Sequence, residues 1–175
     1  MLFCGIDLHS NNSFIVIIDE DDRVVYSKRH ANSMTEIVEA MVPYQDEISG
    51  IAVESTFNWY WLIDGLQEQD YSVHLVNTVA VKQYDGMKHR GDESDAKHLA
   101  HLLRLGLLPE GYIMPKDRRA MRDLARKRMQ LVQQRSAQII TIESAMQRYT
   151  GARANSNTIK QLTEADLEQL NLSST

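Results

Sequence analysis

The sequence predicts an α/β fold, a mixed five-stranded sheet with helices on its faces, followed by one long coiled-coil-like helix. Three observations predict it. Short β-rich runs joined by turn formers open the chain, later runs of the same kind alternate with amphipathic stretches, and residues 116 to 150 contain no glycine or proline. Antiparallel strands followed by βα crossovers give a mixed sheet whose faces must be covered by helices.

Residues 2 to 9 (LFCGIDLH) and 13 to 18 (SFIVII) read as strands joined at Ser10, Asn11 and Asn12. The acidic turn Asp19 to Asp22 leads into a third strand, RVVYSKR over 23 to 29. Ser33 or Thr35 caps a helix over 34 to 44, in which Met34, Ile37, Val38, Met41 and Val42 share a face and Pro43 lies near the end. GIAVEST, 50 to 56, is a short apolar run of the kind buried in a covered sheet. NWYWLIDGLQEQD, 58 to 70, supplies the next helix and YSVHLVN, 71 to 77, the next strand. After a loop containing Lys88, His89, Arg90 and Gly91, a helix with Ala96, Leu99, Leu102 and Leu103 on one face runs to about Leu105.

From 116 to 150, Met121, Leu124, Leu131, Val132, Ile139, Ile142, Met146 and Tyr149 form one apolar stripe on a single helix. At about 1.5 Å per residue it would be on the order of 50 Å long. Such a helix pairs with another helix, in cis or from a second subunit, although Arg128 and Arg135 interrupt a strict heptad seam. The expected organisation is a sheet domain over 1–112, the long basic helix over 113–150 and a polar tail over 151–175. In that tail TEAD, Thr163 to Asp166, resembles a capping box with Asp in place of Glu or Gln and opens a short helix through Leu170.

A content of 43% hydrophobic and 25% charged residues is that of an ordinary globular protein and excludes a disordered or fibrous one. No apolar run approaches the roughly 18 residues of a membrane span. The start, MLFCGIDLHS, has no basic leader and meets a carboxylate at Asp7, so a cytosolic protein is expected. Cys4 is the sole cysteine, which excludes an internal disulfide and a multi-cysteine zinc site. The net charge of −5 hides an asymmetry, because residues 116 to 153 carry +7 and the rest −12. That asymmetry suits a polyanionic partner of the basic segment, although a basic helix can also be a solvated face.

Four acids stand out. Asp7 interrupts an apolar strand, and Glu54 follows Ile-Ala-Val at the end of another. In a mixed sheet ligands gather beyond the carboxyl ends of parallel strands, where the winding reverses, and that point lies between the first and fourth strands. Asp92 and Asp95, three apart at the start of a helix, suit the positive end of its dipole or face a common cation. Hard oxygen donors without clustered thiols point to Mg²⁺ or Mn²⁺, and four carboxylates can hold two ions about 4 Å apart, as phosphodiester chemistry requires. His9, His98 and His101 are candidate accessory ligands or bases, or simply packed residues. Ser10 and Ser55 suit turns better than nucleophiles, and the helical placement of Trp59, Tyr60 and Trp61 suits core packing better than stacking on bases.

GIDLHS, VEST with NWYW, GDESDAKHLAHLLRLG with LPEGYIMPK, and RMQLVQQR together resemble the N-terminal half of insertion-sequence transposases whose first domain is called DEDD. This family, numbered one hundred and ten, is related to the Piv DNA invertase. The resemblance spans roughly residues 1 to 150 and implies a fold similar to the RuvC resolvase and RNase H. It implies metal-binding, catalytic acids at Asp7, Glu54, Asp92 and Asp95. It also implies a coiled-coil segment for subunit pairing and nucleic-acid contact. The basic residues matching that role are Lys88, Arg90, Lys116, Arg118, Arg119, Arg122, Arg126, Lys127, Arg128 and Arg135.

The family recombines DNA with a structured guide RNA, using a second domain with a serine nucleophile. The sequence ends at Thr175, before such a domain, so the expectation is a chain that folds and binds metal and nucleic acid without completing transposition. The alternatives are a stand-alone RuvC-like nuclease and a regulatory nucleic-acid-binding fragment. A sugar-kinase or actin-like ATPase half is disfavoured by the lack of a glycine-rich phosphate loop.

Overall fold

The computed structural model describes residues 1–81 and 91–169. They divide into two compact units, Met1–Ile113 and the residues from Met114 onward.

The first unit is built on a five-stranded sheet. Its strands are β1 (Leu2–Leu8), β2 (Asn12–Ile18), β3 (Val24–Ala31), β4 (Ile48–Glu54) and β5 (Val73–Val76), in the spatial order β3-β2-β1-β4-β5. The first three form an antiparallel meander, while β4 and β5 run parallel to β1. This is the expected mixed sheet with flanking helices. Its central strands read as nearly unbroken apolar runs because both faces are covered.

One face packs under α1 (Met34–Met41) and α2 (Tyr60–Gln67), where Cys4, Ile6, Leu8, Ile15, Ile17, Ile51 and Val53 meet Ile37, Met41, Leu62, Ile63 and Leu66. Alternation of side chains sends Val16, Ile18 and Ala52 to the opposite face. There they meet Ala96, Ala100 and Leu99 of α4 (Asp92–Arg104).

Gly5 allows α4 to lie on β1. A Cβ at Gly5 would stand 2.0 Å from the Ala96 carbonyl oxygen and 2.7 Å from the Ala100 amide nitrogen. Alanines four apart on α4 present the matching small surface.

The β2–β3 hairpin grips α4 at both ends. Near its start, Ser27 Oγ donates to Glu93 Oε1 at 2.6 Å. At its end, Asp22 accepts from Arg104 Nε at 2.8 Å and Nη2 at 2.6 Å, and lies 2.8 Å from His101 Nδ1.

Several boundaries move. Pro43 lacks the amide an α-helix would need, so α1 stops at Met41 and Val42–Tyr44 forms a 3₁₀ turn. The helix expected over 58–70 begins only at Tyr60, after a turn at Phe57–Trp59. A short α3 (Thr78–Val81) follows β5 and was not expected.

In the second unit α5 spans Lys116–Thr150, 35 residues as expected. Most of its apolar stripe faces outward, with Met121, Leu124, Leu131, Val132, Ile142 and Tyr149 exposed. The chain then forms α6 (Ser156–Gln161), capped by Asn155, whose side chain accepts from the amides of Asn157 and Thr158 at 3.0 Å each. Before α7 (Glu164–Gln169) the expected capping box is present with aspartate in its reciprocal role. Asp166 Oδ2 accepts from the Thr163 amide at 2.8 Å, and Thr163 Oγ1 from the Asp166 amide at 3.3 Å. Among the described residues, no helix is long and apolar enough to cross a membrane.

Candidate metal centre

Strand register assembles this site. Asp7 pairs with Phe14 on β2, which pairs with Arg29 on β3, so the three stand in one row on the α4 face of the sheet. On the other side of β1, the register Ile6↔Val53 leaves Asp7 and Glu54 as the next residues of adjacent parallel strands. They therefore occupy equivalent positions on one face, at the strands' carboxyl ends.

The first turn of α4 delivers Asp92, Glu93 and Asp95. Gly91 precedes it with φ of 130°, a conformation that L side chains rarely adopt. The helix's positive end partly offsets the repulsion among these acids.

Asp7, His9 and Asp92 converge, with one donor atom from each within 4.8 Å of the others. His9 Nε2 lies 3.1 Å from Asp7 Oδ2 and 3.3 Å from Asp92 Oδ1. The nitrogen atom is buried and sits at ion-pair distance from both carboxylates. Two carboxylate oxygens and an imidazole nitrogen this close together form a donor set that suits a divalent cation.

The surrounding contacts hold this geometry. His9 carbonyl oxygen accepts from Asn32 Nδ2 at 2.9 Å and Asn58 Nδ2 at 3.0 Å, while its amide donates to the Asn12 carbonyl at 2.9 Å. Arg29 pairs through Nη2 with Asp92 Oδ2, donates through Nη1 to Asn12 Oδ1 at 2.7 Å, and stacks over Phe14. The Arg29 hydrogen bond, opposed by partial burial and reinforced by His9, holds the Asp92 carboxyl below its ordinary range.

The sequence model of a transposase family, the DEDD transposases of IS110 type, matches residues 4–150. The chain belongs to that family.

Among solved structures, this transposase domain is similar to the RuvC of T. thermophilus in complex with a Holliday junction substrate. The two share 14% identity with a TM-score of 0.49, over 63% of this chain and 99% of that one. No curated protein matches the chain.

Of the four acids expected to bind metal in this transposase, Asp7 and Asp92 come together. Glu54 and Asp95 lie outside the group that Asp7 and Asp92 form with His9. His98, one turn beyond Asp95 on α4, is also outside it, and His101 is engaged by Asp22 at the far end of the helix. Trp59 is buried and Trp61 packs against the core, as the helical reading preferred.

Arg118, Arg126, Lys127, Arg128 and Arg135 are exposed, as is Lys116, whereas Arg122 is half-buried. Arg119 is buried and donates through Nε to the Met114 carbonyl at 2.8 Å, which removes it from the exposed basic surface. Lys88 and Arg90 lie outside the described residues.

Reading the sequence missed Arg29, Asn32 and Asn58. Arg29 alone had a usable signal, because the two hairpin registers align it with Asp7.

Proposed function

We propose that this transposase domain seats two divalent cations, Mg²⁺ or Mn²⁺, between β1 and the start of α4, and that it acts there on DNA phosphodiesters. Asp7 and Asp92 are the ligands the convergence supports best, with His9 a third. Glu54 and Asp95 complete the set as the next carboxylates on the same strand ends and helix turn. The observation that carries the reading is the convergence of Asp7, His9 and Asp92, each with one donor atom within 4.8 Å of the others. Two carboxylates drawn together in this way repel each other unless a cation lies between them.

When bound, such cations supply Lewis acidity toward a phosphodiester and favour deprotonation of an attacking hydroxyl. The protein's part is positional. Asn32 and Asn58 fix the His9 backbone, and Gly5 sets the depth of α4 and so the distance from Asp92 to Asp7. Arg29 occupies the Asp92 oxygen that does not contact His9 and limits the net negative charge of the cluster.

For the second unit we propose nucleic-acid contact through Lys116, Arg118, Arg122, Arg126, Lys127, Arg128 and Arg135. The partner is DNA and, as the family resemblance implies, a structured guide RNA. We further propose pairing with a second copy through the exposed apolar stripe of α5. Calorimetric titration with Mn²⁺, alongside Mn²⁺-dependent nicking of duplex and branched DNA, tests the central reading. Asp7→Asn should abolish both signals, and binding equal to wild type would overturn the assignment.

A further inference from the structure

Phe57 is 83% exposed, the most exposed of the large apolar side chains in the described residues. A lone exposed apolar residue is ordinary on a mobile loop. This one stands on a pinned turn. On its N-terminal side the Thr56 amide donates to the Glu54 carbonyl at 2.9 Å, and Thr56 Oγ1 donates to Asn58 Oδ1 at 2.9 Å. On its C-terminal side Asn58 Nδ2 donates to the His9 carbonyl at 3.0 Å, and Trp59 is buried in the core with Tyr60 edge-on against it at 4.5 Å between ring centroids. Both flanks turn inward and the ring between them is held out in water.

The position of that ring is set by the same contacts. Phe57 follows Glu54 by three residues, at the carboxyl end of β4, and its neighbour Asn58 is bonded to the backbone of His9. The turn that presents the aromatic ring is therefore fastened to the turn that presents a candidate metal ligand. In proteins that bind single strands, exposed aromatic side chains stack on bases regardless of sequence, because every base has a π-face. A base inside an intact duplex already has both faces covered, so a rigid exposed ring favours DNA with unpaired or unstacked bases.

We propose that Phe57 is a base-stacking residue that selects nucleic acid with an unpaired base next to the candidate metal centre. The inference rests on the proposed action on DNA and adds the conformation of the substrate. Trp59 and Trp61, the aromatic residues that first suggest stacking, are committed to the core, whereas Phe57 stands outside the core clusters of the described residues.

The test compares affinities of the full chain for two DNAs of equal length, one fully paired and one with a short unpaired bulge. Ca²⁺ replaces Mg²⁺ so that neither substrate is cut. Wild type should prefer the bulged DNA. Phe57→Ala should lose about tenfold or more on the bulged DNA alone, and Phe57→Tyr should restore it, with thermal melts unchanged in both variants. Equal affinity of wild type and Phe57→Ala for the bulged DNA would overturn the stacking role and leave the action on DNA standing. Failure of wild type to bind either DNA would overturn both.

Discussion

Gly5 and Ala96 are in backbone contact across the sheet–helix interface, with room for a hydrogen on the glycine and none for a methyl group. The first turn of α4 carries Asp92 and β1 carries Asp7, so this contact sets the spacing of the candidate centre. Gly5→Ala should push α4 outward and lower stability by about 2 kcal/mol or more, the cost typical of overpacking against rigid neighbours. It should also weaken Mn²⁺ binding. A urea midpoint identical to wild type would show that α4 can shift without cost.

Asp7 is buried, and the acid it approaches, Asp92, is the one already held in its charged form by Arg29. In the absence of metal, Asp7→Asn should leave the melting temperature unchanged or raise it, since repulsion is relieved. With Mn²⁺ at a hundred times its dissociation constant, wild type should gain about 2.7 kcal/mol of stability. The variant should gain none. Thermal melts with and without Mn²⁺ measure both effects, and equal stabilisation of the two proteins would place the ion elsewhere.

Much of this arrangement is legible in the sequence. Strand alternation and the strand–helix order give the mixed sheet, and the uninterrupted run from Lys116 gives α5 at full length. Asp7 stands out because it breaks an apolar strand, and Asp92 because it stands three residues before Asp95 at the start of an amphipathic helix. What escaped notice depends on contacts between residues distant in the chain. Asn32 and Asn58 reach the His9 carbonyl across 23 and 49 residues, and side-chain amides give no sign of their acceptor. Arg29 becomes a partner of Asp92 only through register across three strands. Phe57 was overshadowed by the richer NWYW stretch, whose aromatic residues pack on the core from the turn before α2 and from its first residues.

The far end of α4 offers a pH test away from the metal ligands. Burial opposes the charge on Asp22, but bonds from His101 and Arg104 outweigh it and hold its pKa below the ordinary carboxylate value. A depressed carboxylate pKa contributes stability that is present above the unfolded value and lost as pH falls through the folded one. The clamp should therefore be intact at neutral pH and fail in acid, below the usual carboxylate range. Asp22→Asn should cost on the order of 1 kcal/mol at pH 7, given the partial exposure of the group. It should cost progressively less as the pH falls below 4. Asparagine tolerates the positive φ of 63° at this position, so the backbone is retained. Denaturation midpoints across the acid range check the prediction, and a pH-independent loss would assign the effect to something other than charge.

Along α5 the apolar stripe and the bases are interleaved, with Leu124, Leu131 and Val132 lining one depression together with Lys127, Arg128 and Arg135. Two roles assigned to one helix can be separated by charge and by size. Replacing Arg126, Lys127 and Arg128 with glutamine should make the plot of log affinity for duplex DNA against log salt shallower by about 3, if each contacts one phosphate. The same change should leave self-association intact. Leu131→Glu should do the reverse on association, shifting the sedimentation equilibrium toward monomer because a charge cannot be buried in an apolar seam without a partner. If the glutamine variant also dissociates, the bases belong to the subunit contact. If Leu131→Glu leaves the oligomer unchanged, the stripe serves a partner other than a second copy of the chain.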